Sequence, residues 1–189
     1  MGVLMKTYIA LLRGINVGGR NKIKMADLKE MLESIGLRKV QTYIQSGNVL
    51  FESNETEEIL KIIIEKEIEN KLGFFINVVL RRAEELERVI NNCPFSDEEI
   101  NEAESLNSEG ESLYVAFLDQ TPMAENIETL NKYKHESEDY RIIQRDIYFL
   151  FHSSIRNSKL VNNLHRLGVS ATVRNWKTVN KINELSKNL

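Results

Sequence analysis

Cysteine and long apolar runs are scarce in this sequence. The single cysteine, Cys93, excludes an intrachain disulfide and is typical of a reducing compartment. No apolar run approaches the roughly 20 residues that a membrane-spanning helix needs. The opening residues 1–6 are too few for the apolar core of a signal peptide. These absences predict a cytoplasmic protein with no membrane partner.

Histidine is also rare. His135, His152 and His165 lack the spacing of a metal site such as His-Glu-x-x-His, and one cysteine cannot build a thiolate zinc site. The segment Cys93-Pro94-Phe95 is more typical of a buried helix end than of a nucleophile. No pair of acids stands in an apolar setting that would raise the pKa of one of them. The sequence therefore predicts no metal and no cofactor, and it leaves open whether the protein is an enzyme.

The chain has 189 residues, which is enough for one large domain or two small ones. Its first part shows apolar runs of high β-propensity alternating with stretches of helical periodicity. The pattern predicts the order βαββαβ, with a strand over 6–13, a helix over 25–35, strands over 39–45 and 49–51, a helix over 55–72 and a strand over 74–80.

A change of composition follows. Between Glu84 and Glu111 there are ten acidic residues and one basic residue, which we interpret as a solvated helical connection that begins with a helix over 83–92. The first pattern then returns and ends in an extra helix. It predicts a strand over 112–118, a helix over 124–133, strands over 140–143 and 147–152, a helix over 159–167, a strand over 170–174 and a helix over 179–189.

The repeated order of elements predicts the fold class. A βαββαβ unit of this length is the ferredoxin-like motif. We therefore expect an α+β protein with two ferredoxin-like halves, each containing an antiparallel sheet, joined by the acidic helical connection. The predicted domains are 1–82, 83–111 and 112–189.

The most distinctive stretch is the loop after the first strand. From Arg13 to Lys24 it holds three glycines and four basic side chains but no acid, in a chain with a formal net charge of −3. Glycine-rich cationic loops allow backbone N–H groups to turn toward an anion. In the ferredoxin-like topology this loop meets the 45–48 hairpin at one edge of the sheet. The sequence predicts a site for an anionic, phosphorylated small molecule at Arg13, Gly14, Asn16, Gly18, Gly19, Arg20, Gln45, Ser46 and Asn48.

The two segments Ala10-Leu-Leu-Arg-Gly-Ile-Asn-Val-Gly-Gly19 and Thr42-Tyr-Ile-Gln-Ser-Gly-Asn-Val49 carry a family resemblance. They resemble the leading motifs of an uncharacterised, mainly bacterial family of domains of unknown function. The closing segment Thr172-Val-Arg-Asn-Trp-Lys-Thr178 is similar to the last motif of that family. The resemblance implies an α+β protein with a ferredoxin-like N-terminal part. It assigns no activity and no catalytic residue.

Known nucleotide-binding loops do not match the glycine loop. Gly14 and Gly19 have the outer spacing of a P-loop, but Arg20 and Asn21 stand where lysine and a hydroxyl residue are required. The loop also misses the dinucleotide fingerprint, and the expected topology is not a doubly wound parallel sheet. A structural turn remains an alternative for the loop and for the hairpin, because glycine and asparagine tolerate positive φ.

Nucleic-acid binding is one alternative function. The ferredoxin-like fold is that of an RNA-recognition module, and Tyr8 and Phe51 lie on its predicted central strands. The C-terminal residues 156–189 carry seven basic residues and one acidic residue, and a second cluster of Arg174, Asn175 and Trp176 offers an aromatic ring beside a cation. Against this reading, the pI is about 5.8 and Trp176 also fits a core or interdomain anchor.

A protein-interaction module is the other alternative. Four-stranded sheets of this kind have edges that can pair with a partner chain. The acidic connection and the basic C-terminal segment can attract one another, within a chain or between copies. We expect a monomer or a weak, salt-sensitive dimer.

Overall fold

The computed structural model describes residues 4–189. Residues 1–3 lie outside the described part. They belong to the predicted domain 1–82 and to the opening segment that is too short for the core of a signal peptide. The chain divides into two compact units. The first runs to Arg88 and also includes Lys181–Leu189, and the second is Val89–Asn180.

The first unit is built on a four-stranded sheet in which every pairing is antiparallel. The strand order is β2-β3-β1-β4, as in the ferredoxin-like fold. Its elements are β1 (Lys6–Leu12), α1 (Met25–Ser34), β2 (Arg38–Tyr43), β3 (Asn48–Ser53), α2 (Glu57–Leu72) and β4 (Val78–Arg82).

The core of this unit follows from strand and helix periodicity. Tyr8, Ala10 and Leu12 alternate along β1 and are buried on the same face as Phe51 of β3. Helix α1 contributes Leu28, Met31 and Leu32 to this core. Helix α2 contributes Leu60, Ile64 and Ile68. Thr56 accepts a hydrogen bond from the backbone N–H of Ile59 where α2 begins, and Gly73 ends α2 in a left-handed conformation with φ 76°.

The second unit repeats this sheet with the strand order β6-β7-β5-β8, again fully antiparallel. Helix α3 (Ala83–Asn91) crosses the boundary between the units, and so does α7 (Trp176–Ser186). The remaining elements are α4 (Asp97–Leu106), β5 (Leu113–Leu118), α5 (Ala124–Asn131), β6 (Glu138–Ile143), β7 (Asp146–Phe151), α6 (Lys159–Asn162) and β8 (Ala171–Asn175). The prediction of an α+β chain with two antiparallel sheets, each formed by a βαββαβ order of elements, is confirmed.

The two sheets correspond residue by residue at their centres. Tyr8 pairs with Phe51 across β1 and β3, and Tyr114 pairs with Phe149 across β5 and β7. On the other side of each central strand, Ile9 faces Arg81 and Val115 faces Arg174. Both arginines are buried, and each donates a 2.9 Å hydrogen bond to the carbonyl of the residue before it. The repeat therefore extends beyond the order of elements to individual positions.

Three predicted elements differ most from the observed ones, and the other bounds agree within two residues. The predicted helix 159–167 is divided at Asn163, with α6 before it and a 3₁₀ turn, Leu164–Leu167, after it. The strand predicted over 74–80 is observed as Val78–Arg82, paired antiparallel with β1 from Leu12 opposite Val78 to Tyr8 opposite Arg82. The last helix starts at Trp176 instead of 179, because Asn175 Oδ1 accepts the backbone N–H of Thr178 and caps that end.

The acidic stretch contains a second helix, α4, besides the predicted one over 83–92. Helix α4 has ten residues and begins with a capping box, in which Ser96 and Glu99 each bond the other's backbone N–H. The division of the chain at residues 82 and 111 stays a prediction. Among residues 4–189, no helix is long and apolar enough to cross a membrane.

Candidate functional site

The loop after β1 is a small hairpin of its own. The backbone N–H of Arg20 donates to the carbonyl of Val17 at 3.0 Å, and Asn16 N–H donates to the carbonyl of Asn21 at 3.1 Å. Gly18 and Gly19 form the tip with φ 58° and 76°. Both central residues of a type I′ turn need positive φ, so these two glycines fit the turn geometry. They also leave the tip without bulky side chains.

Asn16 joins this loop to the hairpin between β2 and β3. Its Nδ2 donates to the carbonyl of Ile23 and to the carbonyl of Gln45, both at 2.9 Å. Its Oδ1 accepts the backbone N–H of Ile23 at 2.8 Å. The predicted meeting of the glycine loop with the 45–48 hairpin is thus confirmed, and the amide of one predicted site residue makes the connection.

Gly47 allows the hairpin to approach the loop closely. Its carbonyl accepts the backbone N–H of Leu12 at 2.9 Å. A Cβ atom at this position would lie 2.6 Å from Ile15 Cδ1 and 2.9 Å from Leu12 Cβ, and φ is 84°. Only glycine fits both the space and the backbone conformation.

Asn48 and Ser46 are engaged within the hairpin. Asn48 is fully buried, and its Nδ2 donates to the carbonyl of Tyr43 and to Ser46 Oγ, both at 3.0 Å. Ile44, which directly follows Tyr43, is an exposed β-branched residue with φ 49°. This conformation is strained for isoleucine, at a cost of order 1–3 kcal/mol. The hairpin is therefore fixed by side-chain hydrogen bonds that hold a strained backbone.

The four basic side chains of the loop are exposed. Within residues 4–189, no ion pair or side-chain hydrogen bond involves Arg13, Arg20, Lys22 or Lys24. Because they have no carboxylate partner, they leave a local excess of positive charge. That excess is the electrostatic feature that the sequence predicted.

An open cavity of about 750 Å³ lies where the loop, the hairpin and α1 meet. Of the predicted site residues, Asn16, Gly19 and Gln45 line it. Arg13, Gly14, Gly18, Arg20, Ser46 and Asn48 lie outside its lining. The cavity also has lining residues that the prediction did not name, and they are Lys22, Ile23, Lys24, Met25, Asp27 and Leu72.

The first turn of α1 forms part of the cavity wall. Lys24 is its N-cap residue, and no side chain caps this end. The first N–H groups of a helix have no intrahelical acceptor and carry partial positive charge. Asp27 in the same turn supplies the one carboxylate of the lining. Lys22, Lys24 and Asp27 thus line the cavity beside a helix start that no side chain caps.

Comparison with known proteins gives the family. The profile of the family described as "Protein of unknown function (DUF1697)" matches residues 5–148. The chain belongs to this family. The match includes both leading motifs, whereas the closing segment 172–178 lies beyond it. Among solved structures, the chain is similar to a conserved bacterial protein, SP0830 from Streptococcus pneumoniae, with 27% identity and a TM-score of 0.72. That alignment covers 97% of this chain and 99% of the other. A search of curated proteins found no match.

The second predicted cluster consists of groups with structural contacts. Arg174 is buried and donates to Thr172 Oγ1 and the carbonyl of Val173, both at 2.9 Å. Burial lowers the pKa of Arg174 to about 10. Asn175 caps α7 and Trp176 is its half-buried first residue. In this family member the cluster joins β8 to α7.

The aromatic residues considered for base stacking are in the core. Tyr8 and Phe51 lie on the helix-covered face of the first sheet, stacked on each other with ring centroids 5.9 Å apart. They are buried, so their faces are not available to a base. RNA-recognition modules need exposed aromatic rings on the sheet surface. The pairing register places these two rings on the opposite side.

Cys93 has the environment of an unreactive thiol. It is half-buried, and burial raises its pKa, which favours the protonated thiol over the thiolate nucleophile. Among the residues that the structure describes, no group of three or more His, Cys, Asp or Glu side chains is placed to hold a metal ion.

Proposed function

We propose that the cavity formed by the 13–24 loop, Gln45 and the start of α1 binds an anionic small molecule that carries a phosphate group. One observation carries the proposal. Lys22 and Lys24, which are exposed and make no ion pair within residues 4–189, stand on the wall of a 750 Å³ cavity beside an uncapped helix N-terminus. Cavities of this size accommodate small-molecule ligands.

The donors of this wall suit a phosphate. Ammonium groups bind phosphate as point charges, and backbone N–H groups at a helix start supply directional hydrogen bonds. Asp27 reduces the positive charge, and its carboxylate is an acceptor for a hydroxyl group of the ligand. A phosphorylated molecule with at least one hydroxyl group therefore satisfies both kinds of wall residue.

Arg13 and Arg20 have a supporting part in this proposal. They lie outside the cavity lining but on the same basic loop, where exposed charges raise the local concentration of an approaching anion. We expect the double variant Arg13→Gln and Arg20→Gln to weaken binding less than Lys22→Gln with Lys24→Gln. The loss of affinity caused by the arginine variant should also decrease more steeply with added salt than the loss caused by the lysine variant, because exposed charges are screened.

A thermal-shift screen of nucleotides and sugar phosphates tests the proposal. A ligand at about 100 times its Kd stabilises the folded state by roughly 2.7 kcal/mol. For a chain of this size that raises Tm by about 5–10 °C. The variant Lys22→Gln with Lys24→Gln should lose most of this shift, and the exposed pair Lys66→Gln with Lys177→Gln is the charge-matched control. A full shift in the cavity variant, or no shift by any phosphorylated compound in the wild type, contradicts the proposal.

A further inference from the structure

A second basic cavity lies in the second unit. It has a volume of about 550 Å³ and is formed by the turn between α5 and β6 and by the segment that follows β7. Three lysines line it, Lys132 and Lys134 from the turn and Lys159 from the start of α6. We infer that this cavity is a separate binding site for a phosphate group.

Two of the three lysines of this cavity have no ion-pair partner among residues 4–189. Lys132 and Lys159 are exposed and make no ion pair within the described chain, whereas Lys134 Nζ lies 3.5 Å from Asp139 Oδ1. The one carboxylate of the lining, Glu138, is 6% exposed and its Oε2 accepts the backbone N–H of His135. The buried acid thus bonds the turn, and Lys132 and Lys159 remain available to an anion.

Neutral donors are gathered beside these lysines. Ser137 Oγ lies 2.9 Å from His135 Nδ1 and 3.3 Å from Ser153 Oγ. The backbone N–H of Ser137 also donates to His135 Nδ1 at 3.2 Å. With Nδ1 as an acceptor, the neutral imidazole carries its proton on Nε2 and presents that N–H as a donor.

The two walls of the cavity are tied together by the backbone. His152 N–H donates to the carbonyl of Ser137 at 2.9 Å, which joins the end of β7 to the turn before β6. Asn157 and Tyr133 complete the lining, and the guanidinium of Arg166 lies 5.0 Å from the centre of the Tyr133 ring. The donors therefore come from segments held in a fixed arrangement.

The charge of the unpaired lysines favours phosphate over carboxylate. Within the described chain, Lys132 and Lys159 together carry two positive charges without an ion-pair partner, whereas a single carboxylate brings one negative charge. A phosphate monoester has three terminal oxygens and close to two negative charges at neutral pH, and a pyrophosphate has three terminal oxygens on each phosphoryl group and a larger negative charge. The tetrahedral shape of a phosphoryl group also lets donors on opposite walls bind at the same time.

This site is independent of the first cavity. The first cavity lies at the loop after the first strand of its repeat, whereas this one lies at the turn after the first helix of the other repeat. The two cavities do not occupy equivalent positions of the duplicated fold. Binding at one can therefore be removed without touching residues of the other.

Calorimetric titration with inorganic pyrophosphate at low ionic strength tests the inference. The full-length variant Lys22→Gln with Lys24→Gln is used as the background, so that the first cavity does not contribute. Adding Lys132→Gln and Lys159→Gln should weaken pyrophosphate binding by about tenfold or more, because two charge-assisted contacts are lost. Adding Lys66→Gln and Lys177→Gln instead, with the same change of charge, should leave the affinity within about twofold.

Amide NMR shifts locate the bound pyrophosphate. We expect the backbone amides of Ser137 and His152 to shift on addition of pyrophosphate to the background variant, and to stop shifting after the Lys132 and Lys159 substitutions. The inference is overturned if the background variant does not bind pyrophosphate, if the cavity substitutions weaken binding no more than the control pair, or if those amides do not move. None of these outcomes depends on whether the first cavity binds its ligand.

Discussion

At the scale of single residues, asparagine side chains hold the candidate loop and hairpin in place. Asn16 bonds the loop to both Ile23 and Gln45, and Asn21 Nδ2 donates to the carbonyl of Gly14 at 3.1 Å. Asn48 Nδ2 donates to the carbonyl of Tyr43 within the hairpin. Asparagine suits positions 16 and 21 because it tolerates their positive φ, and all three amides carry both a donor and an acceptor. The cavity keeps its shape through these amides, while the lysines supply the charge.

Replacement of Asn16 tests this scaffold role. Asn16→Ala removes two donated hydrogen bonds and leaves the N–H of Ile23, a residue only 5% exposed, without its acceptor. Asn21→Ala is the matched control, because Asn16 and Asn21 have similar positive φ values of 54° and 47° and pay a similar backbone penalty. We expect Asn16→Ala to lower the free energy of unfolding by about 1–3 kcal/mol more than Asn21→Ala. Urea unfolding measures the difference. Equal losses in the two variants would contradict it.

The predictability of the site is limited at this scale. The basic excess of the loop is visible in the sequence, and so is the contact with the hairpin once the topology is assumed. Which cations face the cavity is not visible, because it depends on how the loop folds back between Asn16 and Asn21. That fold-back places Lys22 and Lys24 on the wall and Arg13 and Arg20 outside it. Leu72 enters from the end of α2, and no local pattern indicates that.

At the scale of elements, Arg141 fastens the start of α4 to the edge strand β6. Its Nη2 lies 2.6 Å from Glu99 Oε1, and its Nη1 donates to the carbonyl of Pro94. The guanidinium also lies 4.2 Å from the centre of the Phe95 ring. One side chain therefore fixes the connection between α3 and α4. The capping box of Ser96 and Glu99 sits within the same contact.

This contact should make stability depend on pH in the acidic range. The hydrogen bond from Arg141, and then the capping bond from Ser96, lower the pKa of Glu99. A lowered carboxyl pKa contributes stability above the unfolded-state pKa of about 4.3, and that stability is lost as the pH falls through the folded-state pKa. We expect Glu99→Gln to lower Tm at about pH 7, and the difference from the wild type to shrink at about pH 3.

Glu102→Gln is the control for this experiment. Glu102 lies in the same helix, is exposed and makes no ion pair within residues 4–189. Its substitution should leave Tm nearly unchanged across the same pH range, since surface substitutions of this kind have small effects. Thermal unfolding in matched buffers measures the Tm difference between the wild type and Glu99→Gln. If that difference stays constant with pH, the charge of Glu99 does not cause the stabilisation.

Element order was predictable because periodicity and breakers agree along most of the chain. Helix α2 has an N-cap threonine and a terminal glycine, and β1 has an unbroken apolar run. The failure at 159–167 has a local cause. Asn163 adopts φ −106° and its Nδ2 donates to the carbonyl of Lys159, which competes with continuation of the helix. The apolar spacing of that segment, Leu160, Leu164 and Leu167, persists through the break and still reaches the core.

At the scale of the whole molecule, the chain is a duplicated sheet whose last residues return to the first unit. The repeat places Tyr8 with Tyr114, Phe51 with Phe149 and Arg81 with Arg174. Strands β1 and β5 also match at Ala10 with Ala116 and at Leu12 with Leu118, but these identities lie in short apolar strands and were not recognisable before the pairing register aligned them. The return of Lys181–Leu189 was not predictable either, since the sequence pattern places the closing helix with the second half.

The returning segment makes specific contacts in the first unit. Lys39 Nζ donates to the main-chain oxygen of Leu189 at 2.7 Å, and Lys187 Nζ lies 2.8 Å from Glu87 Oε1. Ile182 is 1% exposed, so its side chain is part of the packed interior. Exposed ion pairs contribute little to stability, whereas buried aliphatic side chains contribute a great deal. Ile182 is therefore the side chain of this segment whose loss should cost the most stability.

The effect of Ile182→Ala should appear mainly in the first unit. We expect the substitution to lower the free energy of unfolding by about 2–5 kcal/mol, because it removes buried methyl groups and leaves a cavity. Since the segment belongs with the first sheet, hydrogen exchange should become faster in β1–β4 before it does in β5–β8. Glu184→Ala, an exposed neighbour in the same helix, should change stability by no more than about 0.5 kcal/mol. Mass-spectrometric exchange of both variants decides the point: equal acceleration in the two sheets would mean that the units open together, and acceleration confined to β5–β8 would mean that the closing helix serves the second unit instead.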